Sequence, residues 1–428
     1  MTQSGVANGA PGFAGPARNS KTVRVLRVPA LQVDNKTKNH IDEFRMNPLD
    51  RRPPAFRYWI IDRLVLTVIV AAAATFLPSR LPGQVASPRP PGDSVAAKIE
   101  LLPIISYDTD TGFGYGLKLF ALNHLGIRES FDLVLFNSTK GERWYRLVFS
   151  LPDFELRQGT AYPFAMDVIV DYDKWIANSF FGVGNASQFE DREIYTREPL
   201  EISLTAARGF TLHSVGQIGL RYRAIRNFNF EPGSRLAVLP PELNASRAAS
   251  ASLVLTFRHD TRNSYINASE GIVLQGDLEL APETFMSNVS YVRLAGLVQS
   301  YARIRLLKSV LAVRLSLEGL SAGEIPVQML LPVGGNKTVR GSVQDRYLDK
   351  VSGVANIELR FPIIWRIGGV AGFDTGKVWA AARKIDLTRW ATNPVLGLRL
   401  YMDTFVVRLD AGFGRETTGF FLNFGQLF

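Results

Sequence analysis

From residue 98 to the end of the chain, apolar and polar side chains alternate with a period of two. Leu311, Val313, Leu315 and Leu317 fall on one side of their segment, with Arg314, Ser316 and Glu318 on the other. Successive side chains of a strand point to opposite faces, so this spacing specifies sheets with unlike faces. Met166, Val168 and Val170 oppose Asp167, Asp171 and Asp173, and Leu274, Leu278 and Leu280 oppose Gln275, Asp277 and Glu279. Near the end, Leu396, Leu398, Leu400 and Met402 oppose Arg399, and Phe405, Val407 and Leu409 oppose Arg408 and Asp410. Beyond Asp93 no apolar run approaches the roughly 17–25 residues that a membrane helix needs. A soluble sandwich would alternate in the same way, with its apolar side chains facing a core, so periodicity alone leaves two architectures.

The N-terminal region decides between them. A basic stretch ending at Arg57 and Arg63 precedes the apolar run Leu64 to Leu77, LVLTVIVAAAATFL, and a Pro-rich polar stretch, SPRPPGD, follows from Ser87 to Asp93. These are the three parts of a secretory signal. Residues 1–86 are read as a leader, with Ala74 and Ala86 as cleavage candidates, 87–97 as a linker, and 98–428 as the working body. Met46 stands just before the basic region and is the expected start of translation; a long basic extension is the alternative. The leader also carries much of the net charge of +10: up to Arg63 there are eleven Lys and Arg against five acids. That location argues against a nucleic-acid surface. The absence of cysteine excludes a disulfide framework, a thiolate metal site, a cysteine nucleophile and an N-terminal lipid anchor.

An exported chain with ionisable residues on the polar side of nearly every strand calls for a wet interior and an apolar exterior. Within lipid the backbone must satisfy its own hydrogen bonds, and a closed sheet does so without leaving an edge. The expected fold is all-β: a transmembrane antiparallel barrel of the bacterial outer membrane. Strands are expected to begin near residues 98, 112, 130, 143, 164, 199, 215, 250, 271, 289, 311, 354, 367, 394, 404 and 418, about sixteen in all. The stretches around 178–198, 226–248 and 320–350 are then extracellular loops or lumen inserts. The closing FFLNFGQLF, with Phe420, Leu422, Phe424 and Phe428 read on one face, resembles the recognition strand that outer-membrane barrels present to the barrel assembly machinery.

The segment LPVGGNKTVRGSVQDRY, Leu331 to Tyr347, lies between the expected eleventh and twelfth strands and resembles the signature loop of the BamA/TamA superfamily, the bacterial surface antigen family. Val339, Arg340 and Gly341 match its Val-Arg-Gly, while Ser342 stands where the family carries Phe or Tyr. GFDTG, Gly372 to Gly376, resembles the family's segment on the thirteenth strand. FFGVGN at Phe180, RHDTRNSYINASEG at Arg258, GVANIELRFPI at Gly353 and the final GLRL and LDAGFG extend the likeness over about three quarters of the chain. The resemblance implies that this loop folds into the lumen and that Arg340 meets Asp374, with Gly341, Gly372 and Gly376 permitting close approach. No room precedes the first strand for the family's periplasmic polypeptide-transport-associated domains, so a barrel-only member is expected.

Candidate chemistry is sparse. His40 lies in the leader, and His259 and Asp260, as neighbours on a strand, face opposite ways and cannot form an orienting pair. Asp171, Asp173, Asp277 and Glu279 read as a solvated lumen wall rather than a metal site. No cofactor, metal or covalent catalysis is expected. The resemblance implies insertion or translocation of polypeptides, or of lipids, through a weak seam between first and last strands; a passive channel or structural barrel is the alternative. The expected partners are outer-membrane lipids and lipopolysaccharide, the assembly machinery and an unfolded polypeptide client, with a homodimer left open and no nucleic acid.

Overall fold

A computed structural model describes residues 95–240, 243, 246–305, 308–402 and 405–428. The leader, Met46, Ala74, Ala86, His40 and the linker up to residue 94 lie outside the described residues.

The chain closes into a sixteen-stranded antiparallel barrel. Its wall begins with β1 (Lys98–Asp108), β2 (Gly112–Leu122), β3 (Ser130–Ser138), β4 (Arg143–Leu151), β5 (Tyr162–Phe180) and β6 (Glu193–Gly209). It continues through β7 (Ser214–Phe228), β8 (Arg247–Asp260), β9 (Gly271–Ala281), β10 (Tyr291–Ile304) and β11 (Ser309–Ser321). A separate two-stranded hairpin, β12 (Leu331–Val333) with β13 (Tyr347–Asp349), interrupts the wall order. The wall resumes with β14 (Val351–Ile364), β15 (Ile367–Trp379), β16 (Ala391–Tyr401), β17 (Val406–Phe413) and β18 (Thr418–Phe424).

Which face is buried separates the two architectures left open by periodicity. A sandwich would hide its leucines. Here Leu315, Leu396 and Leu398 are 49%, 56% and 48% exposed, whereas Arg399 and Asp374 are fully buried. The apolar face therefore looks outward to lipid and the charged face looks into the lumen, as the energetics of a membrane barrel require. Among the described residues no helix is long and apolar enough to cross a membrane.

Two details differ from the sequence reading. The irregular stretches near 178–198 and 226–248 are shorter than expected, because β5 runs to Phe180, β6 starts at Glu193 and β8 starts at Arg247. Phe180, Ile194, Tyr195, Thr196 and Phe228 extend these strands with β-favouring side chains. The C-terminal residues also do not share one face. Phe420 and Phe424 point to lipid, but β18 ends at Phe424 and Gly425 turns the chain at φ 85°. Phe428 is buried against Tyr301, with its ring beneath the Arg360 and Arg314 guanidiniums.

The closure between β1 and β18 is unlike the other strand pairs. β1 pairs with β2 along its whole length, yet towards β18 the register holds only Tyr107 with Leu422 and Asp108 with Phe421. Thr109 extends this by donating its N–H to the Phe420 carbonyl. Strand parity then turns the nitrogens of residues 107, 105 and 103 towards the same edge, and residue 103 is proline, which has no N–H to offer. Pro103 thus sits where an edge strand tolerates proline and where a continuous ladder would not. The lower part of β1 is left with an unpaired edge.

Candidate functional site

The long loop between β11 and β14, residues 322–350, turns into the lumen. Apolar side chains take it there: Val333 and Val339 pack against Val354 of β14 and Val378 of β15, and all four are buried. At its tip Gly341 adopts φ 90°, a backbone conformation costly for any residue with a Cβ. The tip presses on β17 so closely that a Cβ on Gly412 would lie 2.4 Å from the carbonyl carbon of Arg340.

This close approach sets Arg340, fully buried, among three carboxylates from three strands. Its Nε and Nη2 donate to Asp374 Oδ2 and Oδ1 at 2.7 and 2.9 Å, a bidentate fork, and its backbone N–H reaches Oδ2 at 3.0 Å. Nη1 lies 2.7 Å from Asp410 Oδ2 on β17 and 2.9 Å from Glu358 Oε1 on β14. Asn393 of β16 donates to the Arg340 carbonyl, and Asn356 donates to Asp374 Oδ1. Burial alone would lower the affinity of the guanidinium for its proton; Asp374, Glu358 and Asp410 outweigh it and hold Arg340 charged.

Asp410 and Glu358 are shared further. Arg399 donates to Asp410 at 2.5 Å, and Arg360 to Glu358 at 2.9 Å. Such a cluster is stable only as a whole, because removing one member strands the others in a dry interior.

The expected glycines divide by role. Gly376 gives room to Val333 and Val339 of the loop, whose methyls lie 2.6 and 2.9 Å from where its Cβ would be. Gly372 does not face the loop: its missing Cβ would meet the Ile357 carbonyl of β14 at 2.1 Å, so it serves strand pairing. Ser342, in the place of the family's aromatic, accepts a hydrogen bond from Asn393 at 3.0 Å. Aromatic packing is supplied nearby instead, where the Arg346 guanidinium stacks on Phe181 and Tyr347 at 4.7 and 4.5 Å.

The same loop touches both sides of the barrel closure. Arg346 binds Glu416 in the β17–β18 turn through Nε and Nη2 at 2.6 and 2.7 Å, and Thr417 donates to the Gly341 carbonyl. On the other side the Gln344 N–H donates to Asp110 in the β1–β2 turn at 2.9 Å. Burial raises the Asp110 carboxyl above its ordinary range, against the lowering effect of that hydrogen bond. The loop is therefore a clasp laid across the seam.

Glu279, read from sequence as part of a solvated wall, is instead 2% exposed and bound by Arg221 and Arg293 at 3.0 and 3.3 Å. Asp171 and Asp173 hydrogen-bond Trp144 and Trp175. His259 meets Ser214 at 2.9 Å, a pair missed in the sequence, but Asp260 turns its carboxylate to Arg258 and Arg262 rather than to the imidazole. No group of potential metal ligands is found among the described residues.

The Omp85 superfamily domain matches residues 123–389, more than half of the chain. Among solved structures, the fold is similar to BamA from Haemophilus ducreyi lacking POTRA domains 1-3, with a TM-score of 0.55, 16% identity, and coverage of 77% of this chain and 70% of that one. It is also similar to CdiB from Escherichia coli, with a TM-score of 0.54, 13% identity, and coverage of 77% and 68%. At these identities the likeness is one of fold. No curated protein matches the sequence.

Proposed function

The chain belongs to the Omp85 superfamily, and from that premise we propose that it inserts or translocates polypeptides, or lipids, at the bacterial outer membrane, in the manner of the BamA/TamA branch. The observation that carries this reading is the combination of a short seam with a clasp. β1 and β18 share a ladder only at Tyr107–Leu422 and Asp108–Phe421, while the Arg340 loop bonds to turns on both sides of it. A barrel built only to be a wall gains nothing from an unpaired edge, which is a standing template for another strand.

In this reading no covalent chemistry occurs. Arg340 and Asp374 act as a latch that sets the resting position of the loop, Gly341 and Gly376 let it seat, and the lower edge of β1 meets the client or the lipid. The C-terminal segment with Phe420, Leu422, Phe424 and Phe428 serves, in this reading, as the signal by which the assembly machinery inserts this barrel.

The test is insertion of a small unfolded reporter barrel into liposomes that carry the mature chain, set against empty liposomes. The expected result is a rate increase that Arg340→Ala removes. The alternative reading, a passive channel, draws support from a cavity of about 340 Å³ whose lining includes the charged side chains of Arg157, Glu201, Arg221, Arg258 and Asp277. Ion conductance with no acceleration of insertion decides for the channel.

A further inference from the structure

The loop between β15 and β16, residues 380–390, behaves unlike the lumen loop: it folds over the outer face of the wall. Lys377 points outward from β15 and binds Asp386 Oδ1 and the Thr388 carbonyl at 2.6 and 2.7 Å. Trp379 and Trp390 pack edge to face at 5.5 Å, and both indoles donate towards Asp386. Gly353 of β14 lets these rings lie on the wall, since a Cβ there would meet them at 2.9 and 3.0 Å.

Beneath this roof lies an apolar groove of about 520 Å³, bounded by Phe257, Leu274, Val298, Leu315 and Leu317 with Ile385 and Leu387 from the loop. That volume is in the range of small-molecule sites, about 300–1,000 Å³. Its floor is Gly276 of β9, paired directly with Gly296 of β10. Neither glycine is required by crowding, because a Cβ at either would meet nothing within 4 Å. Glycine weakens a strand and often marks a place where a ligand comes close to the backbone.

The charges above the groove say which ligand. Tryptophans on a membrane barrel sit at headgroup level. At the level marked by Trp379 and Trp390, the loop exposes Arg383 and Arg389, for which no ion pair is found among the described residues. We propose that this outer face binds one anionic membrane lipid, with an acyl chain on the Gly276–Gly296 floor and its phosphate against Arg383 and Arg389. The site is independent of the seam and of polypeptide insertion.

Native mass spectrometry of the full chain in detergent, titrated with phosphatidylglycerol or with phosphatidylethanolamine of identical chains, tests the proposal. One phosphatidylglycerol is expected to stay bound where other lipids are stripped, with phosphatidylethanolamine held about tenfold more weakly for want of net charge. Arg383→Gln/Arg389→Gln brings phosphatidylglycerol down to the phosphatidylethanolamine level, and Gly276→Leu/Gly296→Leu, which fills the floor, releases both. Equal retention of the two lipids, or retention unchanged in either variant, overturns the site and leaves ordinary annular lipid. The arginine variant alters only an exposed loop, so it decides the question even if the glycine variant does not fold.

Discussion

Arg340→Ala lowers the stability of the folded barrel by about 3–5 kcal/mol, the range expected when one partner of a buried ionic cluster is removed. The magnitude follows from what is left behind. Asp374, Asp410 and Glu358 are buried at 0–1% exposure, and each loses a charged partner within 3 Å. Arg399 and Arg360 still neutralise part of Asp410 and Glu358, so the loss falls mainly on Asp374, which among the described residues keeps Asn356 alone as a side-chain donor. Urea unfolding in lipid vesicles, followed by heat-modifiable gel mobility, reads the change. Arg340→Lys recovers only part of it, because an ammonium cannot reproduce the two-pronged contact with Asp374. A loss below about 1 kcal/mol, as seen for exposed pairs, contradicts the buried latch.

Gly412→Val dislodges the loop without touching a charge. Valine favours strands, and β17 alone would accept it. The obstacle is the loop: any Cβ at this position lies 2.4 Å from the carbonyl carbon of Arg340 and 2.5 Å from the Gly341 nitrogen, both backbone atoms. The tip must withdraw, which breaks the hydrogen bonds of Arg340 to Asp374 and Asp410 together. The expected outcome is a loss of about 3–5 kcal/mol, as for Arg340→Ala, because the same buried carboxylates lose their partner, with new protease cleavage inside 322–350. Unchanged cleavage shows that the tip does not depend on this contact.

Much of the fold was legible because a membrane wall obeys one rule, alternation, and this chain keeps it from Lys98 to Phe424. The strand starts read from the sequence coincide with or lie within a few residues of those observed, apart from β6, expected near 199, which begins at Glu193. The end was misread because alternation cannot show that Gly425 takes a positive φ and sends Phe428 inward. At the site, Arg340 and Asp374 were legible through the resemblance of two short motifs. Glu358, Arg360, Arg399 and Asp410 were not, although they lie at lumen parity inside segments already singled out. Their convergence depends on four strands meeting around one loop, and no local pattern encodes that. Pro103 carried only part of a signal: proline is confined to edges, strand starts and bulges, and Pro199, Pro362 and Pro394 lie within wall strands too, so the pairing itself was needed to single out the seam.

In the proposed mechanism this barrel works by parting β1 from β18. The most direct measurement is the reporter-insertion rate of Tyr107→Cys/Leu422→Cys, oxidised and then reduced. The chain has no other cysteine, and directly opposed residues of an antiparallel pair lie about 4.5–5.5 Å apart at Cα, within disulfide reach. The oxidised chain is expected to insert reporter no faster than empty liposomes, and reduction to restore the wild-type rate. Equal acceleration by the oxidised and reduced forms shows that the seam need not part.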